Sequence, residues 1–281
     1  MQAWGCKWYA MGGERAREVR MRVGFLQMQP RFGDVDANVT AIETALADVR
    51  DATLVLPELC TTGYVFASRA ETRALAEPAD GPAVARLRRL ARANRLVLCF
   101  GMAERDGRMI YNSAITLLPS GRQHIYRKAH LFDREKLYFD RAVPRFEPFR
   151  ADTRVGVMVC FDWIFPEVCR TLALAGARVI LHPANLVLPY CQAAMVTRAV
   201  ENRVFTVTCN RVGAETRGGV SLRFTGRSRI VDPKGRVLAE AGEEKPALQI
   251  VDIDPAAAAD KRITSHNHLF RDRRPRAYRL G

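Results

Sequence analysis

The segment from residue 154 to residue 168, RVGVMVCFDWIFPEV, constrains the fold of this chain more than any other stretch. Its first half is rich in closely spaced apolar residues: Val155, Val157, Met158 and Val159. Such a run is typical of a short strand that is buried on both faces. Pro166 suits the first turn of a helix, and Gly176 follows the last residue of the helical pattern. We therefore predict a strand, a sharp turn that carries Cys160, and a helix.

Cys160 has two interpretations as long as this segment is considered alone. A turn between a strand and a helix holds a side chain rigidly near backbone N–H groups that can stabilise an oxyanion, which favours a nucleophile. A buried core thiol is, however, the commoner role of a cysteine. The rest of the chain has to decide between them.

Strands and helices alternate from Met21 onward. Asp34 predicts the cap of a helix with an apolar stripe of Val35, Val39, Ile42, Leu46 and Val49. Further helices are predicted after Gly81-Pro82 and from about residue 189 to residue 203. Strands are predicted at TLVLP, LVLCFG, MIYNSAITLL, RQHIYRK, RVILHPA, VFTVTCN, FTGRSRIV, RVLAEA and LQIVDI. Because tight turns join some of these strands, as at Pro119-Ser120-Gly121, we predict an α/β fold with mixed sheets and helices on the outer faces.

The domain organisation follows from the same pattern. No linker or repeat divides the chain after residue 20, so residues 21–281 are predicted to form a single domain. Residues 1–20 contain two tryptophans and a Gly-Gly pair but no clear periodicity. We interpret residues 1–20 as an extension outside the fold.

Composition limits the functional classes. The seven cysteines are odd in number and form no CxxC pair, which argues against a disulfide framework and a structural zinc site. We expect a reducing, cytoplasmic location, since neither a signal peptide nor a membrane-spanning run is apparent. No phosphate-binding loop, dinucleotide fingerprint, zinc motif or calcium loop is found, so we predict no cofactor and no metal.

Two non-enzymatic interpretations stay open. The formal net charge of +14 suggests nucleic-acid binding, but the arginines are spread along the chain and no nucleic-acid recognition motif accompanies them. We therefore expect neither a nucleic-acid nor a membrane partner. The second alternative is a catalytically silent scaffold that acts by assembly.

Three polar residues stand where predicted strands end: Glu58, Lys128 and Cys160. Loops at the strand ends of an α/β fold converge above a rigid sheet, and functional side chains gather there. Taken one at a time, a glutamate or a lysine in such a place is usually a solvated loop residue. The combination of all three indicates a site.

The surrounding motifs resemble the three signature blocks of the nitrilase superfamily of carbon–nitrogen hydrolases. These motifs are PELCTTGY, then YRKAHLF followed by EKLYF, then GVMVCFDWIFPE. HPANLVLP and RAVENRVF look like further blocks, and the resemblance extends from about Met21 to the C-terminus. It implies a four-layer α-β-β-α sandwich, assembly as a homodimer or a larger homo-oligomer, and a Glu-Lys-Cys catalytic triad.

The resemblance also implies roles for individual residues. Glu58 is expected to be the general base, Cys160 the nucleophile, and Lys128 a stabiliser of the oxyanion together with the backbone N–H of Phe161. Glu135 matches a second family glutamate that orients the lysine and the substrate. Tyr64, Trp163 and Asn185 are expected, with Phe161, to line the substrate pocket. His130 and His182 lack metal-ligand spacing, so we interpret them as structural.

The nucleophile block narrows the substrate class but leaves two possibilities. Its Cys-Phe-Asp-Trp-Ile-Phe-Pro-Glu sequence resembles the amidase and carbamoylase branches, although the block also looks like that of small prokaryotic nitrilases. Carbamoylases of amino acids often carry paired arginines where this chain has Trp163 and Ile164, which disfavours a substrate carboxylate. We predict hydrolysis of a small amide or N-carbamoyl amine with water, with a small nitrile as the alternative substrate.

Overall fold

A computed structural model describes residues 20–143 and 145–278. In chain order its helices and strands are β1 (Met21–Gln27), α1 (Val35–Ala45), β2 (Thr53–Val55), α2 (Arg69–Leu75), α3 (Pro82–Ala93), β3 (Val97–Asp106), β4 (Met109–Leu117), β5 (Gln123–Arg127), α4 (Glu135–Tyr138), β6 (Phe149–Arg150), β7 (Arg154–Val157), α5 (Pro166–Leu174), β8 (Val179–Pro183), α6 (Cys191–Asn202), β9 (Phe205–Cys209), β10 (Ala214–Arg217), β11 (Val220–Arg223), β12 (Arg229–Val231), β13 (Val237–Glu240) and β14 (Ala247–Ile253). The predicted extension, residues 1–20, lies outside the described residues except for Arg20.

The strands form two six-stranded mixed sheets with related topologies. The first sheet has the order β14-β1-β2-β3-β4-β5, and the second has the order β13-β12-β9-β8-β7-β6. Each contains three neighbouring parallel strands, β1-β2-β3 in one and β7-β8-β9 in the other, flanked by antiparallel strands. The carboxyl ends of the parallel strands therefore lie at one edge of each sheet, where the chain continues to Glu58 after β2 and to Cys160 after β7.

The two sheets pack face to face and bury a shared apolar core. Phe25 and Val55 of the first sheet belong to the same buried cluster as Leu181 and Val207 of the second. Helices α1 and α3 cover the outer face of the first sheet, and α5 and α6 cover that of the second. The predicted α-β-β-α sandwich with outer helices is confirmed.

Helix α1 shows how local chemistry sets the element boundaries. The side chain of Asp34 accepts a hydrogen bond of 3.0 Å from the backbone N–H of Ala37, as expected of an N-cap. Val39 and Ile42 are fully buried against the sheet. The helix ends at Ala45, however, so of the predicted stripe Leu46 lies in the turn that follows and Val49 lies just after this turn.

The sequence did not predict α2, α4, β6 or the hairpin of β10 and β11. Gly218 and Gly219 form the hairpin turn with φ of +54° and +74°, a left-handed conformation that favours glycine. The strand observed within FTGRSRIV is shorter than the predicted one, because only Arg229–Val231 forms β12. No helix of the described residues is both long enough and apolar enough to cross a membrane.

Candidate active site

The turn after β7 holds Cys160 in an uncommon backbone conformation. Its φ is +41°, which is unfavourable for a side chain with a Cβ and has to be stabilised by the surroundings. The Asp162 carboxylate accepts a hydrogen bond of 2.9 Å from the N–H of Val159, and His182 Nε2 donates to the carbonyl oxygen of Cys160 over 3.0 Å. Cys160 begins a short 3-10 helix, Cys160–Ile164, and α5 follows from Pro166.

Glu58 is fully buried at the start of a tight turn. The turn is closed by two residues with positive φ, Leu59 at +48° and Gly63 at +83°. Strand β3 lies directly against it, because the N–H of Gly101 donates to the carbonyl of Pro57 over 3.0 Å. A Cβ at Gly101 would collide with the main chain of Glu58, so only glycine allows this close approach.

Lys128 joins two carboxylates in a buried ion cluster. Its Nζ lies 2.7 Å from Glu58 Oε1 and 2.8 Å from both carboxylate oxygens of Glu135. Asn112 Nδ2 donates to Glu58 Oε1 over 2.7 Å, and the hydroxyl of Tyr64 donates to Glu135 Oε1 over 2.7 Å. Every charge of the cluster therefore has a partner, as burial requires.

Asn185 connects the acid to the thiol. Its side-chain Nδ2 donates to the backbone carbonyl oxygen of Glu58 over 2.8 Å. The backbone carbonyl oxygen of Asn185 lies 3.8 Å from Cys160 Sγ. The second carboxylate oxygen of Glu58, Oε2, is buried and has no hydrogen-bond partner among the described residues. It is the atom of the cluster that is left to accept a proton.

Electrostatics at the thiol oppose ionisation in the resting site. Burial raises the pKa of Cys160 well above its usual value, and the negative charge of Glu58 raises it further, while Lys128 lowers it. Cys160 is therefore a neutral thiol that needs a base to become a nucleophile. For Lys128, burial lowers the pKa, but the carboxylates of Glu135 and Glu58 outweigh burial and raise it above its usual value, so the amine is a fixed cation.

Burial shifts the pKa of three further groups of the site. Burial, followed by the charge of Glu135, raises the pKa of Tyr64 well above its usual value, so its hydroxyl stays a donor. Burial and the nearby Glu58 carboxylate raise the pKa of Glu135, whereas Lys128 opposes this rise. Burial lowers the pKa of His182 to about 4, so the neutral imidazole donates from Nε2 to Cys160. The neutral ring places its second nitrogen beside Thr208 Oγ1, at 3.1 Å.

The predicted pocket residues are divided between two neighbouring cavities. One cavity of about 20 Å³ is lined by Cys160, Phe161, Trp163, Asn185, Phe132, Leu186, Val187 and Leu188. Tyr64 lies instead in the adjoining cavity of about 50 Å³, together with Glu135. Phe132 lines both cavities and was not predicted. The side chains that line the cavity at Cys160 are mainly apolar, and none of them is charged.

Sequence reasoning missed several residues that support the site. Asn112 lies inside a strand that was correctly predicted, and the only sign of its role is an amide within an apolar run. Glu215 of β10 accepts hydrogen bonds from the N–H groups of Tyr64 and Val65 at 3.0 and 2.7 Å and pairs with the buried Arg211. No local signal marks Glu215, because the hairpin that carries it was not predicted. Within the described part of the chain, no group of three or more His, Cys, Asp or Glu side chains could hold a metal ion.

Comparisons with known proteins identify the family to which the chain belongs. A sequence model of the carbon–nitrogen hydrolase family matches residues 22–263. A nitrilase of Pyrococcus abyssi is 44% identical over 263 residues, which cover 92% of this chain and 99% of that protein. An (R)-stereoselective amidase of Pseudomonas sp is 34% identical over 239 residues, 83% of this chain and 85% of the relative.

A solved structure shows the same fold with a modified cysteine. It is a mutant of the amidase from Nesterenkonia sp. AN1 in which the acetamide moiety of fluoroacetamide is covalently added at the active site cysteine. It aligns with 95% of this chain and 98% of its own with a TM-score of 0.74 and 27% sequence identity. The family match, the identities and the shared fold together show that this chain is a hydrolase of the carbon–nitrogen hydrolase family, within the nitrilase superfamily.

Proposed function

We propose that the chain hydrolyses the carbon–nitrogen bond of a small uncharged amide or N-carbamoyl amine through a thioester on Cys160. The observation that carries the proposal is the buried cluster of Glu58, Lys128 and Glu135 whose charges act on the Cys160 thiol. Such a cluster supplies a base and a fixed cation to a nucleophile that is neutral at rest.

In the acylation step, the Cys160 thiol gives its proton to Glu58 and its sulfur attacks the substrate carbonyl carbon. Lys128 stabilises the resulting oxyanion together with the backbone N–H of Phe161, which lies in the first turn of a helix, where N–H groups lack intrahelical acceptors. Glu58 then protonates the departing nitrogen, the C–N bond breaks, and ammonia or an amine leaves a thioester behind.

Deacylation uses the same groups, with water in place of the thiol as the nucleophile. Glu58 accepts a proton from water, and the hydroxide oxygen attacks the thioester carbon. The C–S bond breaks, the acid departs, and the sulfur regains a proton from Glu58. Glu135 holds Lys128 in place through both carboxylate oxygens, and Tyr64 holds Glu135.

The apolar lining of the pocket favours a substrate with a small, uncharged acyl group. Phe161, Trp163, Leu186 and Leu188 surround Cys160, and a charged substrate group placed there would lose its hydration without gaining a partner. The (R)-stereoselective amidase relative and the amidase neighbour support an amide as the substrate.

A nitrile is the second candidate, and the relative of 44% identity that is named a nitrilase favours it. Attack of Cys160 on the nitrile carbon, uptake of water and loss of ammonia lead to the same thioester. Parallel assays of an aliphatic amide and the nitrile of equal chain length therefore separate the two candidates by their kcat/KM values.

The proposal is tested by ammonia release with the variant Cys160→Ala. We expect no release from any amide or nitrile that the wild type cleaves, with an unchanged unfolding midpoint. Cys169→Ala is the matched control, since Cys169 is an equally buried cysteine on α5. It should retain activity. Ammonia release by Cys160→Ala at the wild-type rate would reject the mechanism, whereas a wild type that releases no ammonia from any amide or nitrile would favour the scaffold alternative.

We also propose that the protein acts in the cytoplasm as a homodimer or larger homo-oligomer. The cysteines of the described residues are free thiols, which supports a reducing compartment, and the family resemblance supports assembly. Light scattering after size-exclusion chromatography would measure the mass of the assembly, and a monomer at micromolar concentration would contradict this part of the proposal.

A further inference from the structure

One buried carboxylate, two residues after Cys160, accepts hydrogen bonds from the chain on both sides of Lys128 and from the residue just before Cys160. Asp162 is fully buried. Its Oδ2 accepts hydrogen bonds from the hydroxyl of Tyr126 at 2.7 Å and from the N–H of Val159 at 2.9 Å. Its Oδ1 accepts from the N–H of His130 at 3.2 Å and from His130 Nδ1 at 2.7 Å.

These contacts bracket two catalytic residues of the proposed mechanism. Tyr126 and His130 lie two residues before and two residues after Lys128, and Val159 and Asp162 flank Cys160. Lys128 and Cys160 come from different sheets, since one follows β5 and the other follows β7. The carboxylate therefore ties the strand end that carries the cation to the turn that carries the sulfur.

The partners of Asp162 are themselves held in place. The ring of His130 stacks on Phe165 with 3.8 Å between centroids and an angle of 19° between the planes. Burial raises the pKa of Tyr126 well above its usual value, and the charge of Asp162 adds to this, so the hydroxyl stays protonated and donates. The two oxygens of Asp162 accept from four donors, and such hydrogen bonds are what a buried carboxyl group requires.

We propose that Asp162 is a positioning residue that sets the distance between the Lys128 ammonium and the Cys160 sulfur. This inference rests on the proposed function, because it assigns Lys128 and Cys160 their roles in the reaction. A misplacement of about 1 Å between reacting groups can lower a rate by about a hundredfold, so a tie of this kind matters for catalysis.

The test is the rate at which iodoacetamide alkylates Cys160 at pH 8, measured on the Cys160 peptide by mass spectrometry. Besides Lys128, the charged and titratable groups that act on this thiol are Glu58, Glu135 and Tyr64. In Asp162→Asn, one carboxylate oxygen becomes an NH2 group that faces donors, so the hydrogen bonds of that oxygen are lost and one side of the tie is broken. Lys128 then stabilises the thiolate less, and we expect alkylation to be slower by about tenfold or more.

The direction of this change separates positioning from a simple charge effect. A carboxylate near a thiol disfavours the thiolate, so the loss of its charge alone would make alkylation faster. Slower alkylation and a kcat lowered by about the same factor, with KM changed less than about threefold, support positioning. Faster alkylation, or a folded Asp162→Asn with wild-type alkylation and kcat, would overturn the proposal.

Asp232→Asn is the control, because Asp232 is also a buried carboxylate that holds a turn, through the N–H groups of Lys234 and Arg236. Asp232→Asn should lower stability without slowing alkylation; equal slowing in both variants would overturn the proposal.

If Asp162→Asn does not fold, Tyr126→Phe and His130→Asn each remove one side-chain hydrogen bond to Asp162. Each should slow alkylation to a smaller extent, and wild-type rates in both would count against the inference.

The alkylation experiment distinguishes a failure of this inference from a failure of the proposed function. Alkylation reports the state of the thiol and needs no turnover. Retained ammonia release in Cys160→Ala would reject the proposed reaction even if Asp162 controls the reactivity of Cys160. Conversely, an Asp162→Asn enzyme that matches the wild type would reject the positioning role alone.

Discussion

Lys128 is the residue on which the stability of the buried cluster depends most. Its side chain is completely buried between Glu58 and Glu135, so its single positive charge is the ion-pair partner of both carboxylates. Removal of one partner of a buried ion pair leaves an uncompensated charge in a medium that solvates it poorly.

We therefore expect Lys128→Met to lower the free energy of unfolding by about 3–5 kcal/mol as well as to abolish activity. Urea denaturation monitored by fluorescence measures this loss. Lys136→Met is the control, since Lys136 is exposed in the same region, and its effect should stay within about 0.5 kcal/mol. A Lys128→Met protein as stable as Lys136→Met would show that the cluster is not held by the lysine charge.

His182 gives the protein a pH-dependent stability whose sign follows from its burial. Its pKa is lowered from 6.5 to about 4 in the folded protein. Between these values the unfolded chain binds a proton at this position that the folded protein does not bind. Stability is therefore lost as the pH falls from about 6.5 to about 4, and the shift of about 2.5 units corresponds to about 3 kcal/mol.

This loss is measurable as a difference between two denaturation series. The free energy of unfolding of the wild type should fall more steeply between pH 6.5 and pH 4 than that of His182→Asn, by about 3 kcal/mol over the range. The comparison cancels the carboxyl groups that titrate in both proteins. Parallel curves for the two proteins would contradict a neutral, buried His182.

At the scale of elements, the site depends on how closely β3 approaches the turn that carries Glu58. Gly101→Ala would place a Cβ against the main chain of Glu58 and force this turn to move. We expect a loss of stability of about 1–3 kcal/mol and a larger proportional loss of kcat, because Glu58 is displaced. Gly242→Ala is the control: a Cβ there meets no atom within 4 Å. Equal kcat values for the two variants would contradict this view of the turn.

The elements also show what could be predicted from the sequence. Helix α1 has a capping aspartate and a 3.6-residue apolar period, β7 has a continuous apolar run, and Gly176 ends α5 with φ of +97°. These signals are local, and the elements were predicted. Strand β10 of the unpredicted hairpin is polar and shows no apolar alternation. In β11 only Val220 and Leu222 alternate with polar residues, which is too short a pattern to identify the Gly218-Gly219 turn.

The site itself was only partly predictable for the same reason. Glu58, Lys128 and Cys160 stand at strand ends inside recognisable motifs. Asn112 and Glu215 act through contacts that join distant parts of the chain, and no spacing in the sequence encodes such contacts.

At the scale of the whole molecule, several arginines of the described residues form local ion pairs with carboxylates. Arg86 pairs with Asp36 and Glu43, and Arg127 pairs with Glu104 and Asp106. The expectation of no nucleic-acid partner stays a prediction, and a salt titration of any binding to single-stranded DNA would test it.

The single-domain interpretation leads to a prediction for the extension. The family match begins at residue 22 and β1 begins at Met21, and we expect the fold to start there. We expect a chain that starts at residue 20 to unfold in one transition, with stability within about 0.5 kcal/mol of the full chain and the same kcat/KM. Calorimetry and the ammonia assay check both statements, and a second transition or a lost activity would contradict them.

The central claim is that Glu58, Lys128 and Cys160 form one acyl-transfer site. The most direct measurement is mass spectrometry of the protein mixed rapidly with an aliphatic amide that it cleaves, quenched in acid and digested. The account predicts a mass increase equal to the acyl group on the peptide that contains Cys160, and no such adduct in Cys160→Ala. Continued ammonia release with no acylated Cys160 peptide, or with the acyl group on another residue, would contradict it.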